Sequence, residues 1–195
     1  MKYQIPNNQD EILPNKLGLK TSDEIGRSEF EGFLKAEIIF SEKLTSRTKF
    51  NVNYIKKLHK TALGHLYSFA GNFRDVNMSK GGFPFASARF LSQTMADFEN
   101  EILNNLPNSY TLKEALITDL ARVHGELLVI HPFREGNGRT ARILANLMVF
   151  KQGFDPLKFE LINDNRFDQY VEAVQSCAKK DYSKMVKIME LIFPD

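Results

Sequence analysis

Apolar residues recur at intervals of three and four positions along most of the chain, the spacing that places them on one face of a helix. A first helix is predicted after a capping box that begins at Thr21 or Ser22 and uses Glu24. A second begins at Asn51 and a third covers about 91–102. Their apolar stripes are, in turn, Phe30, Phe33, Leu34, Ile38 and Leu44; Ile55, Leu58, Ala62 and Leu66; and Leu91, Met95, Phe98 and Ile102.

The segment from 111 to 130 has the widest apolar surface. "TLKE" at 111–114 predicts a second capping box at its start. Its two stripes are Leu116, Leu120, Val123, Leu127 and Ile130, and Ile117, Ala121, His124 and Leu128. A helix that is apolar on most sides is typical of the centre of a fold, so we predict that this helix is central and that His124 is packed within it.

Three further helices complete the pattern. One begins at Gly138 or Arg139 and ends before Gly153, because glycine favours a helix stop. Another covers about 165–178, and the last covers 182–193. The stripe of the first of these two is Phe167, Tyr170, Val171 and Val174. The predicted fold class is all-α, in a single domain over residues 21–195 that follows an irregular lead-in, residues 1–20.

One segment departs from the helical pattern. Residues 73–86 contain two short strand-like runs on either side of a Lys-Gly-Gly turn, which predicts a β-hairpin. The second run contains Pro84, and proline disfavours a central strand. We therefore expect one edge of the hairpin, from Lys80 to Ala86, to be free.

Composition limits the classes of function. A chain of 195 residues with 43% hydrophobic content suits one domain. Its net charge of +2 gives no support for binding to a nucleic-acid backbone. The single cysteine, Cys177, the absence of a secretory signal pattern at the start, and the lack of any apolar run near the roughly 18 residues of a membrane span favour a cytoplasmic protein without a membrane anchor.

The stretch "HPFREGNGRTAR", residues 131–142, combines several groups suited to phosphate chemistry. The turn at Gly136, Asn137 and Gly138 leaves backbone N–H groups at the start of a helix, where anions bind. Arg139 and Arg142 lie three positions apart, so both reach the same side of that helix, and a pair of guanidinium groups suits a nucleotide.

Three other residues of this stretch also suit that chemistry. Glu135 would repel a bare phosphate, which makes Mg²⁺ between the carboxylate and the phosphoryl oxygens the simplest explanation for its position. His131 is suited to accept a proton from an attacking hydroxyl. Phe133, the apolar residue among them, is expected to point inward and anchor the loop.

Other interpretations of these residues stay open. His131 can be a solvated loop histidine, and Glu135 and the arginines can form surface ion pairs of little energy. A metal site formed by His124 and His131 is disfavoured, because ligands on one helix face lie four residues apart and these are seven apart.

The stretch matches the signature of the Fic (filamentation induced by cyclic AMP) family, His-x-Phe-x-Asp/Glu-Gly-Asn-Gly-Arg-x-x-Arg, at every specified position. The resemblance extends to "NKLGLKTSDEI", "YSFAGNFRDVNMSKGGFPFA" and "HGELLVIHPF". It implies a Fic-type helical core with one β-hairpin flap, which transfers AMP from Mg-ATP to a hydroxyl of a target protein and releases pyrophosphate.

The same resemblance assigns roles over a catalytic loop, residues 131–139. His131 would be the general base and Glu135 the Mg²⁺ ligand. The α- and β-phosphates would lie on Gly136, Asn137 and Gly138, and the outer phosphates on Arg139 and Arg142. The flap would dock the target segment by main-chain pairing through Lys80, Gly81, Gly82, Phe83 and Phe85. Tyr170 would belong either to the core or to the wall of an adenine pocket.

The resemblance also bears on donor and regulation. Relatives of the Doc branch, which transfer the γ-phosphate, carry Lys where this chain has Gly138, so AMP transfer is favoured. Many members carry an inhibitory helix, Ser/Thr-x-x-x-Glu-Gly/Asn, but before Glu31 and Gly32 this chain has Arg27 where Ser or Thr is required. A toxin inhibited by a separate small antitoxin is therefore expected. Its target would be modified on a Tyr, Thr or Ser hydroxyl, and DNA topoisomerase subunits are one suggestion.

Three alternative functions remain beside AMP transfer. The domain can transfer another phosphate-containing group, or bind a nucleotide or protein without turnover. A nucleic-acid-binding regulator is a weaker alternative, because the lysines are scattered and form no stripe for a duplex.

Overall fold

The structure is a computed structural model that describes residues 12–194. Seven α-helices and one short hairpin make up this part of the chain, as the sequence predicts for an all-α fold. The helices are α1 (Ser22–Glu42), α2 (Val52–Leu63), α3 (Leu91–Glu101), α4 (Lys113–Ile130), α5 (Asn137–Phe150), α6 (Asp164–Cys177) and α7 (Ser183–Ile192). None of the helices in residues 12–194 is both long and apolar enough to cross a membrane.

Helix α4 lies at the centre, and both of its predicted stripes are buried. It packs against α5, α6 and α7. His124 is 1% exposed, which confirms that it is a packed residue of the central helix. The predicted stripes of α2 and α3 are buried as well, and Asn51 caps α2 by accepting a hydrogen bond from the Tyr54 N–H.

The start of α1 confirms the first capping box. The Thr21 hydroxyl accepts a hydrogen bond from the Glu24 N–H, and the Glu24 carboxylate accepts one from the Thr21 N–H. The second box is wrong: Leu112 is the N-cap of α4 and no side chain caps that helix. Helix α5 begins at Asn137, one residue before Gly138 and two before Arg139, the two predicted starts.

The predicted apolar stripe of α1 is mostly wrong. Phe30, Leu34 and Ile38 are exposed, and of the predicted set only Phe33 lies in the core. The buried face of α1 consists instead of Glu29, Gly32, Phe33 and Ala36. This face is partly polar because it packs against α2 and against the start of α5, where an arginine requires a carboxylate partner.

Gly32 marks the closest approach of α1 to α2. A Cβ atom at this position would lie 2.0 Å from the Ala62 carbonyl oxygen, and a backbone atom cannot give way as a side chain can. We expect Gly32→Ala to lower the free energy of unfolding by about 3 kcal/mol through overpacking. Gly26→Ala is the control, because no atom lies within 4 Å of its added Cβ. Chemical denaturation would show a stability loss for the first variant only; equal stabilities would contradict this packing.

The hairpin lies inside the predicted segment 73–86, but its paired strands are short. Strand β1 (Ser79–Lys80) pairs antiparallel with β2 (Phe83–Pro84) around the turn at Gly81 and Gly82. One further bond, from the Phe85 N–H to the Met78 carbonyl, extends the pairing. The hairpin lies over the end of α4, where Phe85 stacks on His131.

Candidate active site

The loop between α4 and α5 begins with a strained residue. His131 ends α4 with φ 53° and ψ 58°, a left-handed conformation that a non-glycine residue rarely adopts. Its N–H donates to the Leu127 carbonyl, so the strain is maintained by the helix end itself. Strain of this kind at a loop histidine is a feature of functional sites.

Aromatic stacking anchors the loop to the core. Phe133 is fully buried, as predicted, and stacks on His59 with ring centroids 3.8 Å apart. Nδ1 of His59 accepts the Gly71 N–H, so its Nε2–H donates to the Glu135 carbonyl at 2.9 Å. His59 therefore fixes the backbone of Glu135, although the two residues are 76 positions apart in the sequence.

Asn137 closes the loop by pairing its side-chain amide with the backbone of Phe133. Its Oδ1 accepts the Phe133 N–H at 2.8 Å and its Nδ2 donates to the Phe133 carbonyl at 2.7 Å. Asn137 is 1% exposed and is the first residue of α5, so its side chain acts as a buried support of the loop. The first N–H groups of a helix lack intrahelical acceptors, and those of α5 follow this buried turn.

The imidazole of His131 is nearly buried and lies under the hairpin. Its Nδ1–H donates to the Leu128 carbonyl at 3.1 Å, which makes Nε2 the basic nitrogen of the ring. The Phe85 ring stacks on it with centroids 3.8 Å apart and an interplanar angle of 10°. Burial, with the positive charges of Arg74 and Lys80, lowers the pKa of His131 to about 3. The ring is therefore neutral near pH 7, as a general base must be.

Arg74 connects the hairpin to this loop, and the sequence interpretation missed it. It is 4% exposed and donates to the carbonyls of His131 at 2.8 Å, Val76 at 2.6 Å, and Ala86. It also donates to the Ile130 carbonyl at 3.4 Å, and a guanidinium that binds four backbone carbonyls fixes the position of the hairpin over the histidine. The sequence held no signal for it, because Arg74 stands close to Asn72 and Asp75 in a stretch that gives no sign of a buried guanidinium.

The two arginines of the stretch lie in different surroundings. Arg139 pairs with Glu29 of α1, and its Nη2 lies 3.5 Å from the Glu135 carboxylate. Arg142 is exposed, and its guanidinium lies over the Phe159 ring. Burial raises the pKa of Glu135, and the nearby Glu29 carboxylate raises it further.

A cleft of about 380 Å³ joins the hairpin, the loop and α6. Its lining includes Lys80, Gly81, Phe83, Phe85, His131, Gly138, Arg142, Tyr170 and Val171. The structure thus brings seven predicted site residues from the hairpin, loop and α5 to one cavity together with Tyr170. Phe133 and Asn137 lie behind it, as supports of the loop.

Tyr170 has features of both interpretations that the sequence left open. It is 7% exposed and lines the cleft with its ring. Nδ1 of His124 faces the Ala141 carbonyl at 3.3 Å, so its Nε2 accepts the Tyr170 O–H at 2.7 Å. The residue is anchored in the core and presents its remaining surface to the cleft.

The buried histidines predict an acid-sensitive fold. Burial lowers the pKa of His59 and His124 to about 4 and of His131 to about 3. The unfolded chain binds these protons near the ordinary value of 6.5, so stability is complete above that pH and is lost as the pH falls toward about 4. We expect each of the three histidines to lower the free energy of unfolding by about 1–2 kcal/mol at pH 5.

Thermal unfolding at pH 7.5 and pH 5 measures this effect. The melting temperature is expected to be lower at pH 5 than at pH 7.5. The control is His65→Ala at an exposed position, which should leave the difference between the two melting temperatures unchanged. Equal melting temperatures at the two pH values would contradict the burial of neutral histidines.

Comparison with known proteins identifies this arrangement. The model of the Fic/DOC family matches residues 49–149, from the loop before α2 almost to the end of α5. The chain belongs to the Fic/DOC family. The match includes the hairpin and the whole stretch from His131 to Arg142, which confirms the resemblance found in the sequence.

Relatives and solved structures agree with this membership. The protein adenylyltransferase fic-1 of Caenorhabditis elegans is 29% identical over 147 residues, which are 75% of this chain and 27% of the relative. The protein adenylyltransferase Fic of Drosophila melanogaster is 29% identical over 184 residues, which cover 87% of this chain and 36% of the relative. The chain therefore spans about a third of the length of these relatives. The crystal structure of the BepC effector protein of Bartonella tribocorum with bound AMPPNP has a TM-score of 0.77 at 20% sequence identity. The match covers 95% of this chain and 94% of the BepC chain. It shows that the Fic fold is shared.

Proposed function

We propose that this protein is a protein adenylyltransferase, which transfers AMP from ATP to a hydroxyl side chain of a target protein. The observation that carries the proposal is the neutral, buried imidazole of His131, which lines one cleft with Gly138 and Arg142 at the start of α5. A base beside an anion-binding helix terminus suits attack of a hydroxyl on a bound phosphate. The names of the curated relatives support the same activity.

His131 accepts the proton of the attacking hydroxyl at Nε2 in this proposal. The N–H groups at the start of α5 and the guanidinium groups of Arg139 and Arg142 bind the phosphates, and pyrophosphate leaves. The hairpin serves as the flap that docks the target segment against Lys80 and Phe83, and Phe85 excludes water from the imidazole on which it stacks. Tyr170 forms part of the wall of the adenine pocket.

Glu135 suits a role as a magnesium ligand. Its carboxylate accepts the Gly136 N–H at 2.7 Å and lies beside the start of α5, while burial raises its pKa. No group of three or more His, Cys, Asp or Glu side chains within residues 12–194 forms a metal site by itself. One carboxylate combined with phosphate oxygens is how Mg²⁺ binds with a nucleotide, and the ion would neutralise phosphate charge there.

We further propose that the protein is a cytoplasmic bacterial toxin inhibited by a small antitoxin. Glu31, the nearest match to an inhibitory glutamate, is exposed on α1, and no contact between it and Arg142 is seen among the described residues. In this proposal the inhibitory carboxylate comes from the antitoxin. Expression of the chain alone would then arrest growth with filamentation, and a topoisomerase subunit modified on a Tyr, Thr or Ser hydroxyl is the suggested target.

Label transfer tests the proposed activity. The purified chain is incubated with Mg²⁺, a bacterial lysate and ATP labelled at the α-phosphate, in parallel with a Glu135→Gln variant. Radioactive protein bands that depend on the wild-type chain would support AMP transfer. A chain that binds ATP but labels no protein would instead be a nucleotide-binding module.

A further inference from the structure

A buried carboxylate outside the motif contacts its first arginine. Oε2 of Glu29 lies 2.6 Å from Nη2 of Arg139, and the two side chains are 9% and 34% exposed. Glu29 lies on α1, 110 residues away in the sequence. A hydrogen-bonded ion pair with one partner this buried is much less screened by solvent than a surface pair.

Tyr67 fixes the other oxygen of the same carboxylate. Its O–H donates to Oε1 of Glu29 at 2.6 Å. The Tyr67 side chain is 1% exposed and stacks on Phe69, so the donor is itself held in place. Burial and the Glu29 carboxylate raise the pKa of Tyr67 above its usual range, so the hydroxyl keeps its proton. Both oxygens of Glu29 therefore have defined partners and a single orientation.

The guanidinium of Arg139 is held by a second side chain of α1. Its Cζ lies 4.6 Å from the centroid of the Phe33 ring, a cation–π contact. Glu135 competes for the same guanidinium from 3.5 Å, four positions earlier in the chain. Without Glu29, Glu135 is the remaining carboxylate that the structure places beside Arg139, and the guanidinium would close on it.

We propose that Glu29 is a positioning residue, which with Tyr67 draws the Arg139 guanidinium toward α1 and limits its contact with Glu135 to the long distance of 3.5 Å. The guanidinium then keeps its remaining N–H donors for the outer phosphates of a nucleotide, and the Glu135 carboxylate stays available to a cation. Presetting the arginine also removes the entropy cost of ordering it on the ligand. This inference rests on the proposed nucleotide-dependent function.

Equilibrium binding of ATP and AMP tests it, because AMP lacks the outer phosphates. Glu29→Gln has nearly the same shape but no charge and only one acceptor oxygen, so the ion pair with Arg139 is lost and the two donors no longer have separate acceptor oxygens. We expect it to weaken ATP binding about 2- to 10-fold, which corresponds to the entropy cost of ordering one side chain on the ligand. AMP binding should stay unchanged. The control is Glu31→Gln, the same charge change at an exposed site of α1, with no effect expected.

A double-mutant cycle separates positioning from a general structural role. In an Arg139→Ala background, Glu29→Gln should change ATP binding no further, because the side chain that it positions is gone. Tyr67→Phe should also weaken ATP binding, but less than Glu29→Gln does.

Two results would contradict the positioning role. Tighter ATP binding by Glu29→Gln would show that Glu29 competes with the nucleotide, and unchanged ATP binding with a lower melting temperature would show a structural role only. Either result overturns the inference. A wild-type chain that binds no ATP refutes the proposed function instead.

Discussion

The His131→Ala variant is expected to lose AMP transfer by about 10²–10⁴-fold while it still binds ATP. In the proposed mechanism the imidazole supplies the base, whereas the phosphate contacts come from the start of α5 and from the arginines. Burial lowers the pKa of His131, so the wild-type ring is neutral at neutral pH and its Nε2 lone pair is free of a proton. Transfer is measured by label incorporation into protein and ATP binding by calorimetry.

The control for this variant is His65→Ala. His65 is exposed and contacts Ser28 of α1, away from the cleft lining, so its removal should leave transfer unchanged. Full transfer activity in His131→Ala would show that another group accepts the proton. Loss of ATP binding in that variant would show that the histidine supports the loop and is not the base.

The second large effect is expected at Gly136, whose φ of +76° is a conformation that favours glycine. A Cβ atom there would lie 2.8 Å from Cζ of Phe33 and 2.9 Å from Cδ1 of Leu63. Gly136→Ala therefore forces the loop away from α1 and α2. We expect a loss of about 2–4 kcal/mol in the free energy of unfolding and a severe loss of ATP binding.

Gly138→Ala is the informative comparison in the same loop. No atom lies within 4 Å of its added Cβ, so the fold should stay as stable as the wild type. Gly138 lines the cleft, however, and the added methyl group would take space from the nucleotide. Denaturation should separate the two variants, with only Gly136→Ala destabilised. Equal stability of both would contradict the strained turn.

The sequence predicts the centre of this fold well because the pattern of α4 does not depend on its partners. A helix that is apolar on most sides is buried whichever helices surround it, and both stripes of α4 are in the core. The motif likewise placed the loop correctly, since Phe133 is anchored inside and His131 meets the hairpin. The roles of the individual site residues stay predictions until they are measured.

Helix α1 could not be predicted in the same way. Its inner face includes Glu29 because Arg139 lies opposite, and Gly32 because α2 approaches closely. Both facts are properties of the partner helices, and hydrophobicity alone favoured Phe30 and Leu34, which are exposed. Arg74 and His59 escaped notice for the same reason: each acts on a backbone carbonyl more than 50 residues away.

The predicted capping box of α4 failed for a local reason. The helix begins one residue later than the box requires, so Thr111 precedes the N-cap residue Leu112, and Glu114 is the second residue of the helix. A shift of one position removes the geometry of the box, in which cap and glutamate lie three residues apart. Element boundaries of this kind depend on how the preceding loop is anchored.

The most direct test of AMP transfer compares two labelled donors. The wild-type chain is incubated with Mg²⁺ and the same lysate in two reactions, with ATP labelled at the α-phosphate in one and at the γ-phosphate in the other, each beside His131→Ala. We predict protein labelling from the α-phosphate alone, lost in the variant. Labelling from the γ-phosphate, with none from the α-phosphate, would contradict the account and show phosphate transfer instead.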